Sequence, residues 1–210
     1  MIDPITNSFL KDVSGVIHIG ASRGQEGRIY EENDLDVVWV EPIPEVFELL
    51  EENVKGYPKQ QAFQYLVTNV DDKKYKFHIA NNRGESSSIL DLKESKKIWP
   101  HIHYVRTIIL KSITLPTLCQ KEQIEVNKYD ALVLDTQGSE LLVLKGAIPI
   151  LDNFKYIKVE VADFESYKNC CQVGDIESFM KEHRYKEILR YALRIRRINY
   201  HCYDIVYEKL

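Results

Sequence analysis

The chain has 210 residues, of which 44% are hydrophobic and 29% charged, and its formal net charge is −4. This length suits one domain with a real core, and the composition excludes a disordered chain. The acidic balance argues against binding of a nucleic-acid phosphate backbone. The basic cluster near the C-terminus is expected to be a solvated hairpin; it contains Arg190, Arg194, Arg196 and Arg197.

The start of the chain and its cysteines bear on the cellular compartment. The first residues, MIDPITNSFLKDV, lack the basic start and apolar core of a secretory signal, and no apolar run has membrane-spanning length. The cysteines show no CxxC spacing, so reduced thiols are expected and a zinc site is not. We therefore expect a cytoplasmic protein that does not associate with membranes, and the sequence leaves its oligomeric state open.

Apolar runs alternate with amphipathic stretches along the chain, which predicts β-α units around a mostly parallel sheet. Strands are predicted at 15–19, 36–40, 62–67, 75–80, 103–110, 131–134, 155–163, 186–193 and 202–208. Helices are predicted at 24–33, from Pro44 onward, at 115–122, from Ser139 and at 175–185. The helix after Pro44 is expected to cover a sheet with Val46, Phe47, Leu49, Leu50 and Val54.

The organisation of the whole chain follows from these elements. The chain ends on a hairpin, so the sheet should be mixed, with one antiparallel strand at or near its edge. No linker or repeat divides the sequence, so residues 1–210 are expected to form one domain, with 1–14 as an N-terminal extension.

The stretch VIHIGASRGQEG (16–27) places glycines directly after the first strand, where α/β proteins bind nucleotide-like ligands. A dinucleotide site needs GxGxxG, but Ser22 stands where its second glycine would be, and no GK[ST] is present. Gly20, Gly24 and Gly27 therefore suit a ligand that approaches the backbone closely without a pyrophosphate. S-adenosylmethionine and an uncharged nucleoside both meet this condition, and a plain tight turn is the structural alternative.

Two acids follow strands on the rim that should carry this loop. Glu41 comes directly after DVVWV, about twenty residues beyond Gly20, where a carboxylate can accept both ribose hydroxyls. Asp135 ends the strand 131–134 and shares this rim if the strands are parallel. Glu140 is either functional or an acid that favours the first turn of a helix.

These three stretches together resemble the FkbM-type methyltransferases, which are S-adenosylmethionine-dependent enzymes of the class I Rossmann-like fold. The resemblance runs from about Gly15 to the C-terminus and is strongest in IGASRGQE, VVWVEPIPEVFELLEEN, LDTQGSELLVLKGA and IKVEV. It implies an α/β three-layer sandwich whose mostly parallel sheet has an antiparallel C-terminal strand. The positions that match the family motifs are Gly20, Ala21, Gly24, Glu41, Pro42, Asp135, Gly138, Glu140, Leu144 and Gly146.

The resemblance also implies a cofactor site for S-adenosylmethionine. The residues expected to form it are His18, Gly20, Ala21, Ser22, Gly24, Gln25, Glu41, Pro42, Asn69, Asp71 and Asp135. Asn69 and Asp71 follow the third strand and would approach the adenine. The loop NNRGESSSIL (81–90) matches a serine-rich segment that lies near the cofactor or the acceptor in the family, and a plain surface loop is the alternative.

Two positions depart from the family pattern. His18 stands where an acid is usual, and it is either a cofactor contact or a strand histidine satisfied by neighbouring backbone. Gln137 replaces the usual glutamate before Gly138, which removes a charge beside the expected site.

The expected reaction is methyl transfer to a hydroxyl, and an alcohol acceptor must lose its proton as the bond forms. Asp135 is the first candidate for the general base, Glu160 and Asp163 at the neighbouring strand end are alternatives, and Glu140 is a further catalytic candidate. An ordinary carboxylate is a weak base for a hydroxyl, so burial must raise its pKa or a metal must acidify the hydroxyl. Asp135, Glu160 and Asp163 could bind Mg²⁺, although their spacing alone does not establish a metal site.

The sequence therefore predicts an S-adenosylmethionine-dependent O-methyltransferase that acts on a small molecule or a glycan and has no nucleic-acid partner. An NAD-dependent oxidoreductase is one alternative, which the missing glycine disfavours. A cofactor-binding module that has lost catalysis is another, with His18 and Gln137 as its signs. Segments 81–104 and 163–174 are expected to shape the acceptor pocket, whose ligand the sequence does not name.

Overall fold

The computed structural model describes residues 7–194 and 200–210. Residues 1–6 of the predicted extension and the predicted basic turn at Arg196 and Arg197 lie outside this part of the chain. Of the predicted basic cluster, Arg190 has a described side chain, and its Nη2 lies 2.6 Å from Glu177 Oε1. None of the helices in the described part combines the length and apolarity needed to cross a lipid bilayer.

Strands and helices follow one another in the predicted order. The strands are β1 (Gly15–Ile19), β2 (Asp36–Val40), β3 (Gln60–Phe63), β4 (Leu66–Val67), β5 (Lys74–Ala80), β6 (Tyr104–Ile113), β7 (Ala131–Leu134), β8 (Tyr156–Ala162), β9 (Tyr185–Arg194) and β10 (His201–Lys209). The α-helices are α1 (Gly27–Glu32), α2 (Pro44–Val54), α3 (Ser95–Ile98), α4 (Leu115–Lys121), α5 (Glu140–Ala147) and α6 (Val173–Glu182). Short 3-10 helices lie at Ser8–Asp12, Val126–Lys128 and Ile148–Asn153.

The main sheet has the order β3-β2-β1-β7-β8-β10-β9. Strands β3, β2, β1, β7 and β8 pair in parallel, whereas β10 is antiparallel to both β8 and β9. The structure therefore confirms the predicted mixed sheet, with the reversed strand next to the edge. The carboxyl ends of β1, β2, β7 and β8 meet at one rim, as the placement of the site requires.

Hydrophobic cores cover both faces of this sheet, because side chains alternate along each strand. In β1, Ile17 and Ile19 belong to the core that includes residues of α4, α5 and α6, whereas Val16 belongs to the core that includes residues of α1 and α2. This arrangement is the predicted α/β three-layer sandwich.

The predicted third strand, 62–67, is two strands in the structure. Its first half belongs to β3 in the main sheet, and its second half is β4, which pairs with β6 in a separate sheet of order β4-β6-β5. The small sheet encloses its own core, which contains Ile43, Val46, Leu66, Phe77 and Ile79. The TNVDD segment therefore follows a strand of the small sheet and not of the main one.

Three local predictions need correction. Helix α1 begins at Gly27 and not at Gly24, because Gly24 has a left-handed φ of +69°. Leu49 is 51% exposed, since α2 buries the i, i+4 stripe of Val46, Leu50 and Val54 instead. Gly146, predicted as the glycine that ends α5, is the second-last residue of that helix and not the residue after it.

Candidate active site

The glycine loop packs directly against the ends of β2 and β7. Gly20 has a φ of +82°, and a Cβ on it would stand 1.9 Å from the carbonyl oxygen of Asp135. Its backbone N–H donates to the carbonyl oxygen of Val40 at 2.9 Å. A Cβ on Gly24 would lie 2.7 Å from Cδ1 of Leu50. A side chain on Gly20 would meet backbone, so glycine is required there, whereas at Gly24 the left-handed φ favours glycine.

Glu41 is buried at the end of β2 and ties the glycine loop to the start of α2. Its Oε2 accepts a hydrogen bond from the backbone N–H of Ser22 at 2.9 Å, and its Oε1 accepts one from Ile43 at 2.9 Å. A carboxylate has about four lone-pair sites, so each oxygen can accept a further hydroxyl. Burial raises the pKa of this carboxyl to about 7.

A cavity of about 110 Å³, called the loop cavity, lies between the glycine loop and the small sheet. The predicted cofactor residues that line it are Gly20, Ser22, Gln25, Glu41, Pro42 and Asp135. Ala21 and Gly24 are not among its lining residues. Its apolar wall, which the sequence did not predict, includes Tyr65, Leu66, Val67 and Phe77.

The residues of the loop cavity fit a nucleoside-type cofactor. The apolar wall suits a base, and the Glu41 oxygens suit ribose hydroxyls. The Ser22 hydroxyl is buried and has no hydrogen-bond partner among the described residues, so it leaves a polar atom at the cavity for a ligand. The loop 81–90 takes part as well, with Gly84, Glu85 and Ser87.

A larger cavity of about 420 Å³, called the acceptor cavity, adjoins the loop cavity, and Gln25, Glu85, Asp135 and Gln137 line both. The two segments predicted to shape an acceptor pocket both line it. Segment 81–104 contributes Asn82, Glu85, Ser86, Leu92, Ser95, Trp99, His101 and Ile102, and segment 163–174 contributes Ser166, Tyr167, Cys170 and Cys171. An ion pair between Arg23 Nη2 and Glu85 Oε1 at 2.7 Å joins the glycine loop to the loop 81–90.

Asp135 and Glu160 form a carboxyl pair where the two cavities meet. Leu134 and Val159 are register partners in the parallel strands β7 and β8, so the next residues, Asp135 and Glu160, stand side by side at the rim. Burial raises the pKa of Asp135, and the adjacent charge of Asp135 holds the pKa of Glu160 well above its usual range. The pair therefore binds one proton more readily than two isolated carboxylates would.

Glu140, predicted as a catalytic candidate, holds the turn between β7 and α5. Its Oε1 accepts hydrogen bonds from the backbone N–H groups of Thr136 at 2.8 Å and Gly138 at 3.0 Å. The residue is 2% exposed. These contacts give Glu140 a role in supporting the turn, and its catalytic role stays a prediction.

Asp163 does not join the carboxyl pair. Its oxygens accept hydrogen bonds from the backbone N–H of His201 at 2.9 Å, from His201 Nδ1 at 3.0 Å and from the hydroxyl of Tyr203 at 3.2 Å. Across residues 7–194 and 200–210, no group of three or more His, Cys, Asp or Glu side chains could hold a metal ion. The set of Asp135, Glu160 and Asp163 considered for Mg²⁺ is thus not assembled.

His18 lies beneath the rim and lines neither cavity. Its ring stacks on Trp39 with centroids 5.1 Å apart, and its Nδ1 lies 3.2 Å from the hydroxyl of Tyr30. Burial lowers its pKa to about 3, so the ring is neutral at physiological pH. The structure supports the structural interpretation of His18, with a tyrosine hydroxyl as the partner in place of backbone.

Asn69 and Asp71 are also absent from the residues that line the two cavities. The Asp71 carboxylate accepts hydrogen bonds from the backbone N–H of Thr114 at 2.6 Å and the hydroxyl of Thr117 at 2.9 Å, so it supports the start of α4. The Cα of Asn69 packs against α5, where a Cβ on Gly146 would lie 2.9 Å from it. The split of the predicted third strand accounts for both positions, since it moves TNVDD away from the rim.

The chain matches one known protein family over most of its length. The family described as the methyltransferase FkbM domain matches residues 18–187, which is most of the chain. No curated protein is similar enough in sequence to match the chain.

Several solved structures share the fold at low sequence identity. A putative tRNA (m1A22) methyltransferase of Streptococcus pneumoniae in complex with S-adenosyl-L-methionine has a TM-score of 0.57 and 10% identity, and the match covers 100% of this chain and 74% of that chain. A 1,6-didemethyltoxoflavin-N1-methyltransferase of Burkholderia thailandensis with bound S-adenosylhomocysteine has a TM-score of 0.52 and 10% identity, with 98% and 75% covered. An uncharacterized protein of Listeria monocytogenes has a TM-score of 0.55 and 8% identity, with 100% and 69% covered. At these identities the likeness shows the fold alone.

Proposed function

The chain belongs to the methyltransferase FkbM domain family and is an S-adenosylmethionine-dependent methyltransferase, and on that premise we propose that it methylates a hydroxyl oxygen of a small molecule or sugar. The observation that carries this proposal is the Asp135–Glu160 carboxyl pair, which stands where the loop cavity meets the acceptor cavity. An oxygen nucleophile needs a base as it reacts, and this pair supplies one at the junction. Family membership also sets aside the oxidoreductase alternative.

The cofactor supplies a methyl group that is already electrophilic, so the protein mainly aligns the acceptor and removes its proton. In the proposal, Glu41 and the Ser22 hydroxyl hold the nucleoside part in the loop cavity. Asp135 would accept the proton of the acceptor hydroxyl, and bound S-adenosylmethionine would supply the methyl group to the acceptor oxygen. Glu160 keeps its own proton beside Asp135.

The charge of the acceptor cavity favours an uncharged acceptor. Its acidic lining residues are Glu85, Asp135, Glu140 and Glu160, and no lysine or arginine is among the described residues that line it. A polyanion such as RNA would be repelled there, because nucleic-acid binding depends on basic groups near the phosphates. Two of the structurally similar proteins carry names that specify tRNA or a ring nitrogen as the methylated group, and this charge pattern supports a different acceptor here.

The lining of the acceptor cavity also supports a sugar-sized ligand. Trp99 and Tyr167 offer aromatic surface, and Asn82, Ser95 and His101 offer hydrogen-bonding groups. A volume of about 420 Å³ lies in the usual range of small-molecule sites. The departures at His18 and Gln137 do not favour the inactive-module alternative, since His18 lies outside the site and Gln137 contacts Asp135.

The experiment measures transfer of tritiated methyl from S-adenosylmethionine to two panels, one of neutral sugars and small alcohols and one of transfer RNA. We expect label in a hydroxyl acceptor and none in RNA. Asp135→Asn should lower turnover about 100-fold or more, as expected for loss of a general base. Asp152→Asn is the matched control, because Asp152 is exposed and pairs with Lys209. Label found only in RNA, or an Asp135→Asn variant as fast as the control, would contradict the proposal.

A further inference from the structure

Gln137 connects the carboxyl pair to the acceptor cavity through its side-chain amide. Its Nε2 lies 2.5 Å from Asp135 Oδ1, and its Oε1 lies 2.6 Å from the hydroxyl oxygen of Tyr167. Its backbone carbonyl accepts a hydrogen bond from the Ser88 hydroxyl at 2.8 Å. The residue has a φ of +53°, a left-handed conformation that is uncommon outside glycine. This turn folds the amide back onto the strand end that precedes it.

The chemistry of the two partners determines which way the amide faces. The NH₂ group of Gln137 faces Asp135 Oδ1, which is the orientation that suits an ionised carboxylate, because a carboxylate can only accept hydrogen bonds. The amide oxygen then faces Tyr167, whose hydroxyl donates to it. The phenol therefore holds the amide in the orientation that delivers a donor to Asp135.

The amide makes the two members of the carboxyl pair unequal. Asp135 accepts the amide hydrogen bond, whereas Glu160 receives no donor from a non-acidic group among the described residues. A hydrogen bond to the charged form stabilises that form. The single proton of the pair therefore belongs on Glu160, and Asp135 stays ionised.

We propose that Gln137 is a positioning residue, which keeps Asp135 as the ionised member of the pair and is itself held in place by Tyr167. The inference rests on the proposed function in one respect, since it makes Asp135 the group that takes the acceptor's proton. A glutamate in place of Gln137 would bring a third carboxylate to the same point. Asp135 would then carry a proton up to a higher pH and would be less able to accept the proton of the acceptor.

Other charged and titratable groups also face Asp135 and affect its ionisation. They are Glu160 and Lys158 from β8, Asp204 and Cys202 from β10, Glu140 from α5, Glu26 before α1, Glu41 after β2, and Tyr167. Lys158 is the one cation of this set, and its Nζ is paired with Asp204 at 3.2 Å. Asp204 opposes ionisation of Asp135, whereas the hydrogen bond from protonated Glu160 and the charge of Lys158 favour it. The amide of Gln137 adds the one direct hydrogen bond to Asp135 from a group in this set that does not titrate.

The test is a titration of Asp135 by carbon-13 NMR of protein labelled at the aspartate carboxyls, with the resonance assigned through Asp135→Asn. Gln137→Glu keeps the size of the side chain and is expected to raise the Asp135 midpoint by about one pH unit or more, a tenfold change in proton affinity. Gln137→Met removes the donor without adding charge and should raise the midpoint by less. Tyr167→Phe should raise it in the same direction. Gln120→Glu makes the same change at an exposed site on α4 and should leave the midpoint unchanged.

Midpoints in Gln137→Glu and Gln137→Met that both stay within about 0.3 unit of wild type would overturn the proposal. If Gln137→Glu fails to fold, Gln137→Met decides the question. The titration needs no acceptor, so its outcome is independent of the proposed reaction. Once an acceptor is found, the acidic limb of the kcat profile should move to higher pH by the same shift in Gln137→Glu. If the NMR midpoint of Asp135 moves in Gln137→Glu but the acidic limb of the kcat profile does not, Asp135 is not the base. The positioning of Asp135 by Gln137 would still hold in that case.

Discussion

Glu41 should make cofactor binding depend on pH, because burial raises its pKa to about 7. Ribose hydroxyls donate to a carboxylate better than to a carboxylic acid. At about pH 8 roughly nine-tenths of the Glu41 side chains would be ionised in the free protein, and at about pH 6 roughly one-tenth. We therefore expect the affinity for S-adenosylhomocysteine to fall about tenfold between these two values.

The same carboxyl should affect folding in the opposite sense. Its pKa is raised from 4.5 in the unfolded reference to about 7 in the folded protein. Between these values the folded protein binds a proton that the unfolded chain does not, so the stability contributed by Glu41 declines as the pH rises. The shift corresponds to about 3 kcal/mol, fully lost above about pH 7. Relative to Glu41→Gln, wild type should lose that much free energy of unfolding between about pH 4 and pH 8.

Calorimetric titration with S-adenosylhomocysteine at three pH values, in buffers of different ionisation enthalpy, measures both affinity and proton release. Wild type should release close to one proton per ligand at about pH 6, and Glu41→Gln should bind about 10- to 100-fold more weakly, with little pH dependence. Glu45→Gln is the matched control, since Glu45 is exposed and pairs with Arg106. Wild-type affinity that changes less than about twofold across this range, with no proton release, would refute the role of Glu41.

Three further predictions concern the frame of the site. Glu140→Ala removes the acceptor for two backbone N–H groups and should cost about 2–4 kcal/mol, seen as a lower Tm in thermal denaturation; an unchanged Tm would contradict its role in the turn. Gly20→Ala should prevent stable folding, since its Cβ would meet Asp135, whereas Gly56→Ala, with open space around it, should fold normally. His18→Phe should leave the affinity for S-adenosylhomocysteine unchanged. Because the His18 pKa is lowered to about 3, the wild-type free energy of unfolding should fall by about 1.4 kcal/mol per pH unit as the pH falls from 6.5 towards 3, and His18→Phe should not show this fall. Equal denaturation curves for that variant and wild type across this range would argue against a buried neutral histidine.

The strands that carry the site could be predicted from the sequence because they are buried on both faces. The runs 15–19, 36–40 and 131–134 have the same bounds in the structure as in the prediction. Each is a nearly continuous apolar run ended by glycine or by an acid, which is the pattern of a central parallel strand. Gly20, Glu41 and Asp135 follow these strands directly, so predicting the parallel strands also placed these three residues at one edge of the sheet. The family match confirms the resemblance that these residues indicated.

The small sheet could not be predicted in the same way. A run such as 62–67 contains enough apolar residues for one strand, and its local pattern does not show that Leu66 leaves the main sheet to pair with Ser112. That pairing depends on residues more than forty positions away. The apolar wall of the loop cavity, including Tyr65 and Phe77, comes from this rearrangement.

The sequence by itself determined the bounds of the strands that carry the site, the family and the three rim residues Gly20, Glu41 and Asp135, because each depends on short-range patterns. Only the tertiary structure decided which other side chains reach the site. His18 is one residue before the end of β1 and is covered by aromatic rings. Gln137 reaches Asp135 because a left-handed turn folds its amide backward, and no local pattern in the sequence specifies that contact.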